Sequence, residues 1–464
     1  MQYTNYDLKD TIVALATPPG VGAIGVIRLS GTNAIAIADM VFKGKALNKQ
    51  KSHTIHLGKI ISEENKIIDE VLISLFIAPK SYTKENVVEV SCHGSSYIIQ
   101  ELIQLFIKKG ARMAQPGEFT LRAFLNGQMD LSQAEAVADL IASNSAAAHT
   151  IAMQQMRGGV SDEIKKLRQQ LLDFASLIEL ELDFSEEDVE FADRADLQEL
   201  VRKIQTLIHT LIQSFQLGNV IKKGVTTVIA GRPNAGKSTL LNVLLKEERA
   251  IVSEIAGTTR DTIEEILNIQ GIEFRLIDTA GIRDAQDQIE AIGVEKTMEK
   301  VQQSAILLYV FDARKLTPEM VKADLEQLQI PNHTIVLVPN KMDKNPYLKP
   351  AEYVTATLPL SQIVTVSAIN NMNIEHLKNT LYKLVVSDKL NLDNPIVSNT
   401  RHLEALQNAH TSLSEVLKNM GAGVTTDFVA MDIRRALYHL GEIVGEVSTD
   451  DLLGNIFSRF CIGK

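Results

Sequence analysis

A chain of 464 residues with 45% hydrophobic and 22% charged content has the make-up of a globular protein of roughly three domains. It has no long apolar run to span a membrane, and MQYTNYDLKD resembles neither a signal nor a transit peptide, so the expected address is cytoplasmic with no membrane partner. Two cysteines, Cys92 and Cys461, are too few for a disulfide framework, and a net charge of −10 argues against binding nucleic acid mainly through a basic face of its own.

Residues 1 to about 120 alternate short β-branched runs (TIVALA, AIGVIRLS, EVLISLFIA, VVEVSCHG) with one helical stretch, Tyr97 to Lys109, which predicts an α+β domain. Within it, Gly20 to Gly25 (GVGAIG) has the spacing of a dinucleotide site. The next residues, Val26-Ile27-Arg28-Leu29, read as a strand where that site needs a helix, and Lys45 stands about twenty residues on where an acid is required. The segment is therefore read as a tight turn built on Pro18-Pro19-Gly20.

From Leu131 the apolar spacing becomes helical, over Gln133 to Met156, Val160 to Leu182 and Leu197 to Leu217, and again over Arg401 to Met420 and Phe428 to Val447. Helices thus flank a central α/β module on both sides. The economical architecture is one discontinuous all-α domain with the module inserted between two of its helices, giving segments 1–120, 121–220, 221–386 and 387–464; the alternative is two separate helical arms. The first 126 residues hold 14 Lys and Arg against 11 Asp and Glu, whereas residues 127 to 222 hold 8 against 16. The tract Glu179 to Asp193 reads as a solvated acidic face. If the protein works on RNA, a partner is expected to supply much of the contact.

The central module opens with the β-branched run Val225 to Ala230, then GRPNAGKS (Gly231 to Ser238), then the helix-like Thr239 to Leu245, which is the strand, loop, helix context of a phosphate loop. Backbone N–H groups around Asn234, Ala235, Gly236 and Thr239 form an anion nest, Lys237 places a charge on the β and γ phosphates, and Ser238 offers oxygen to Mg²⁺. Three later signals each come directly after an apolar strand: Asp278-Thr279-Ala280-Gly281, then Asn340-Lys341-Met342-Asp343, then Ser367-Ala368 after Ile363 to Val366. Asp278 stands where a Mg²⁺-supporting carboxylate belongs, and Gly281 lets a backbone N–H approach the γ-phosphate. Asp343 can accept from the two N–H groups on the guanine edge while Asn340 and Lys341 pack against the nucleotide, so GTP is the expected substrate. Between these motifs lies a switch-like tract, Gly257-Thr258-Thr259-Arg260-Asp261, one of whose threonines, Thr259, is expected to reach Mg²⁺, and the expected GTP contacts here are Ser253, Glu254, Ile255, Ala256, Gly257, Thr258 and Thr259. Ile282, directly after DTAG, cannot orient water, so another group must; Asp284, Asp287 and Glu290 are the nearest acids downstream.

Together, the phosphate loop with Asn234, GTTRD, DTAG and its aliphatic successor, PGEFTLRAFLNGQMD and the closing FCIGK resemble the MnmE (TrmE) family of tRNA-modification GTPases over essentially the whole chain. The resemblance implies an N-terminal folate-binding and dimerisation domain, a discontinuous helical domain and an inserted Ras-like, doubly wound GTPase domain. It implies catalytic roles for Glu290, Lys237 and Asn234, and a K⁺ ion held by Asn234, Ser253, Ile255 and Thr258 as G domains pair in a homodimer. It also implies 5-formyl- or methylene-tetrahydrofolate bound by Arg28, Glu85, Gln128 and Lys464, and a partner, MnmG (GidA), that carries FAD and NADH. The two proteins would add an aminomethyl-type group, such as carboxymethylaminomethyl, at C5 of the wobble uridine of tRNA. Gln128 stands where the family often has a basic residue, which removes one charged folate contact. Cys461 is a candidate thiol near the reaction centre. The alternative function is a ribosome-assembly or regulatory GTPase, against which stands the lack of a KH-type G-x-x-G in a basic setting outside the GTPase module.

Overall fold

The computed structural model describes residues 10–183, 194–246, 264–278, 305–328, 334–386, 395–422 and 424–463. The chain divides into two compact units, 1–138 with 155–205 and 405–464, and 139–154 with 206–404.

The first unit begins with a seven-stranded sheet, β1 (Thr11–Leu15), β2 (Ile24–Ser30), β3 (Phe42–Lys43), β4 (Thr54–Ile61), β5 (Ile67–Phe76), β6 (Val87–His93) and β7 (Ala111–Met113), in the order β3-β4-β5-β6-β2-β1-β7. All pairs are antiparallel except β1 with β7. Period-two burial along β5 places Val71, Ile73 and Leu75 inside, and on one face helices α1 (Ala34–Val41) and α2 (Ser96–Lys108) complete the core with Ile37, Val41, Leu102 and Phe106. Strands β3, β4 and β7, helix α1, and helix α3 (Glu118–Leu125) are additions to what the sequence periodicity predicts. Eight-residue helices such as α1 and α3 span too few turns to declare a period.

The expected helix over Gln133 to Met156 is corrected to two, α4 (Leu131–Ala142) and α5 (Ala146–Met156). Ser143-Asn144-Ser145 breaks it: Ser143 Oγ donates to the Leu140 carbonyl and Ser145 Oγ accepts from Ala148 N at 3.2 Å, capping the second helix. Two longer helices come next, α6 (Gly159–Asp183) and α7 (Arg194–Lys223).

The second unit carries a five-stranded sheet of β8 (Val225–Ala230), β9 (Glu264–Ile269), β10 (Ile272–Asp278), β11 (Ile306–Asp312) and β12 (Thr334–Asn340), in the order β12-β11-β8-β10-β9, parallel except for the β9–β10 hairpin. Successive strands leave β8 in opposite directions, so the crevice at its carboxyl end is the topological switch point where open α/β sheets bind ligands. Helices α8 (Lys237–Lys246), α9 (Pro318–Gln327) and α10 (Ile374–Val385) accompany the sheet. The expected strand Ile363 to Val366 does not join as a ladder. It makes one bridge, Ile363 to Leu337, and its Val364 and Val366 amides donate to the Leu337 and Pro339 carbonyls. Continuing the ladder needs an amide at position 339 to donate back, and proline has none.

The chain returns through α11 (Thr400–Gly421), α12 (Thr426–Val444) and α13 (Asp450–Phe457). In the first unit α6 packs along α12, joined by Arg168 Nε to the Leu437 carbonyl at 3.3 Å and by Arg434 to Glu179 at 2.8 Å. Helices from before and after the inserted module thus form one discontinuous all-α layer. Helix α12 ends at Val444 because Gly445, whose φ of +83° a glycine adopts freely, caps it, so the expected end at Val447 is three residues too long.

Candidate nucleotide-binding site

The loop after β8 is shaped by close approaches. A Cβ on Gly231 (φ +145°) would stand 1.9 Å from the Val310 carbonyl oxygen, and one on Gly236 (φ +94°) would stand 2.4 Å from Asn340 Nδ2. Only glycine allows both β11 and β12 to come so near. Lys237 opens α8 and its ammonium donates to the Gly231 carbonyl at 3.0 Å and the Arg232 carbonyl at 3.3 Å. Ser238 and Thr239 are exposed in the first helical turn, beside the positive end of the helix dipole.

The base-side loop is tied to this phosphate loop. Asn340, buried at the end of β12, donates from Nδ2 to the Ala235 carbonyl at 2.9 Å, while its Oδ1 accepts from Lys341 N at 2.8 Å and Ala368 N at 3.1 Å. Lys341 donates to the Asn234 carbonyl at 2.6 Å and to Asp312 at 3.0 Å. Asp343 accepts from the fully buried Ser367 hydroxyl at 2.7 Å. The structure therefore brings Asn234, Ala235, Gly236, Lys237, Asn340, Lys341, Asp343, Ser367 and Ala368 into one cluster. Asp278 ends β10 in register with Ile229, next to the phosphate loop. Ser253, Glu254, Ile255, Ala256, Gly257, Thr258, Thr259, Thr279, Ala280, Gly281, Ile282, Asp284, Asp287, Glu290 and Lys464 lie outside the described residues.

Two features escaped the motifs. Asp312, paired across β11 and β12 with Asn340, accepts from Arg314 as well as Lys341. The Arg314 guanidinium, against the opposing cost of burial and with help from its backbone amide and Lys341, holds the Asp312 carboxyl well below the usual carboxylate range. Its signal was its place, an acid at the carboxyl end of a wholly apolar parallel strand. Arg232, in the phosphate loop, makes a forked pair at 2.7 and 2.8 Å with Asp324 of α9, which also takes the Tyr309 hydroxyl.

The expected folate residues lie in the first unit. Arg28 pairs with Glu89 across β2 and β6 at 2.8 Å, lies 5.6 Å from the Tyr82 ring centroid and 5.7 Å from that of Phe119, and donates to the Gly463 carbonyl at 3.4 Å. Glu85 accepts from Ser30 Oγ at 2.6 Å and from the buried Arg122 at 3.2 Å. Arg122 also contacts Asp10 and Glu118, and Arg112 contacts the same two acids. Gln128 is exposed, with its backbone amide on the Ala123 carbonyl. Around Cys461, which is exposed, the terminal segment docks by an Ile462–Pro116 bridge and by Gly463, where a Cβ would stand 2.1 Å from the Leu15 carbonyl oxygen.

The strand order, the glycine loop and the Asn340–Asp343 loop define a P-loop nucleotide-binding fold. Residues 11–128 match the family described as GTP-binding protein TrmE N-terminus, and residues 131–461 that described as MnmE helical domain. The chain is 55% identical over 455 residues to the tRNA modification GTPase MnmE of Cytophaga hutchinsonii, covering 98% of each. It is 55% identical to that of Flavobacterium psychrophilum, covering 98% of this chain and 99% of the relative, and 49% identical to that of Bacteroides fragilis, covering 98% and 100%. The chain belongs to the MnmE (TrmE) family.

Proposed function

We propose that this protein is a GTPase that acts in tRNA modification. The observation that carries the nucleotide reading is the Asn340 amide, which bonds the phosphate loop, the base-side loop and Ala368 at once and leaves Asp343, braced by Ser367, to read guanine. The Ser238 hydroxyl and the Asp278 and Thr259 oxygens are a hard donor set that suits Mg²⁺, which would neutralise charge on the β and γ phosphates. Family membership supports K⁺ at Asn234, Ser253, Ile255 and Thr258, with Glu290 ordering water once the switch closes.

The finer reading is that the protein works as a homodimer with MnmG on the wobble uridine, adding a carboxymethylaminomethyl- or aminomethyl-type group from a tetrahydrofolate-borne carbon. The Glu85 carboxylate, accepting from Ser30 and Arg122, keeps acceptor capacity for a pterin amine edge, and Arg28 has donors for a carboxylate. Exposed Ile55, Leu57 and Leu72 on β4 and β5 give the first sheet an apolar patch suited to a second copy. Mass analysis of wobble nucleosides from cells lacking the protein tests this function: loss of the C5 group is expected, and unaltered nucleosides with a ribosome-assembly defect would favour the regulatory alternative.

A further inference from the structure

Asp312 lies in none of the nucleotide motifs, yet its buried carboxylate is fully engaged. One oxygen accepts from Arg314 N at 3.1 Å and Nε at 3.0 Å; the other accepts from Arg314 at 2.7 Å and from Lys341 Nζ at 3.0 Å. Four donors fill the four acceptor positions of a carboxylate, so the group has one orientation. Lys341 is correspondingly fixed. Its backbone is left-handed (φ +67°), an uncommon state for a lysine, with its amide on Asn340 Oδ1 and its ammonium shared between Asp312 and the Asn234 carbonyl. Between these ends its stem passes the phosphate loop, where a Cβ built on Gly236 would stand 3.9 Å from Lys341 Cε.

We infer that Asp312 is a positioning residue for guanine nucleotide binding: it anchors Lys341 so that one ammonium joins the base-side loop to the phosphate loop. A lysine ammonium on a four-carbon stem is a mobile point charge, and a second acceptor on a neighbouring strand removes that freedom before the nucleotide arrives. The inference rests on the GTP reading above. In Asp312→Asn the oxygen that accepts the Arg314 amide and Nε stays an acceptor, while the position facing Lys341 becomes a donor. The substitution therefore releases Lys341 and spares two of the three Arg314 contacts.

The test is release of fluorescent GDP from the full chain by stopped flow. Asp312→Asn should speed release about tenfold, the scale of one lost charge-assisted bond, with the nucleotide-free unfolding temperature close to wild type. In a Lys341→Met background the same change should alter release less than about twofold, because the ammonium it acts through is absent. Should Asp312→Asn fail to fold, Asp312→Glu, which keeps the charge but displaces it, is read in the same cycle. Unchanged release, or an undiminished effect in the Lys341→Met background, overturns the inference and assigns Asp312 to holding Arg314. A wild-type chain that retains no guanine nucleotide overturns the GTP reading, and the inference with it.

Discussion

Replacing Asp343 by asparagine challenges the base-side loop at its most selective contact. Ser367, fully buried, donates to one Asp343 oxygen at 2.7 Å, and the Met342 amide is tied to the Val366 carbonyl at 3.2 Å. These ties keep the loop on course in Asp343→Asn, with the amide oxygen against Ser367 and the NH₂ group where the second carboxylate oxygen stood. Against guanine that sets donor against donor and removes a charge-assisted bond, at a cost of about 1.5–3 kcal/mol, or about 10- to 150-fold in GTP affinity. Xanthine carries a carbonyl in place of the guanine amine, so the variant should gain affinity for xanthosine triphosphate. Displacement of fluorescent GDP by GTP, ATP and xanthosine triphosphate measures all three. Comparable wild-type affinity for ATP and GTP, or a variant whose preference is unaltered, would refute the assignment of Asp343 to the base.

On the proposed mechanism Glu290→Ala should leave GTP affinity nearly unchanged and lower single-turnover hydrolysis by about two orders of magnitude or more; undiminished hydrolysis would return the role to Asp284, Asp287 or the backbone. Hydrolysis should be faster in K⁺ than in Na⁺ at equal ionic strength, and equal rates would dismiss a K⁺ ion in place of an arginine finger. Arg122→Met strips the buried cation from Asp10, Glu85 and Glu118 and should cost about 3–5 kcal/mol in urea unfolding; a loss below about 1 kcal/mol would show the acids to be indifferent to it. Burial, with the nearby Asp69 charge, pushes the Cys92 thiol up to about 11, so it stays neutral and unreactive until pH rises toward that value. Iodoacetamide at pH 8 should therefore label the exposed Cys461 and spare Cys92, and equal labelling of the two would contradict this.

Strand Val225–Ala230 was legible to the residue because a β-branched run is bounded by Gly224 and Gly231, and β10 and β12 were legible because fixed motifs stand at their carboxyl ends, whereas β9 and β11, with no motif after them, were not. Illegible features were those set by partners distant in sequence. Pro339 stops the last ladder only because Ile363 to Val366 happens to lie beside it. Asp312 matters through Lys341, 29 positions later, and an acid after an apolar strand carries no mark of which cation it will meet. Glu85 was expected only as a folate contact, and nothing in the sequence marks Arg122, from a helix too short to show its period, as the cation that takes one of its sides. Helical spacing likewise overran Ser143 to Ser145, because the apolar count weighs side chains and ignores hydroxyls that compete for the backbone.

The Asn340 amide closes onto Ala235, a residue 105 positions earlier. During synthesis at about 5–20 residues per second, the phosphate loop must therefore leave the ribosome about 5–20 s before the group that fixes its shape. Through that interval the nascent segment carries a complete glycine-loop motif and no finished pocket. The bonds from Asn340 to Ala235 and from Lys341 to Asn234 thus join a phosphate loop made early to a base-side loop made late, and neither can form until β12 has been synthesised.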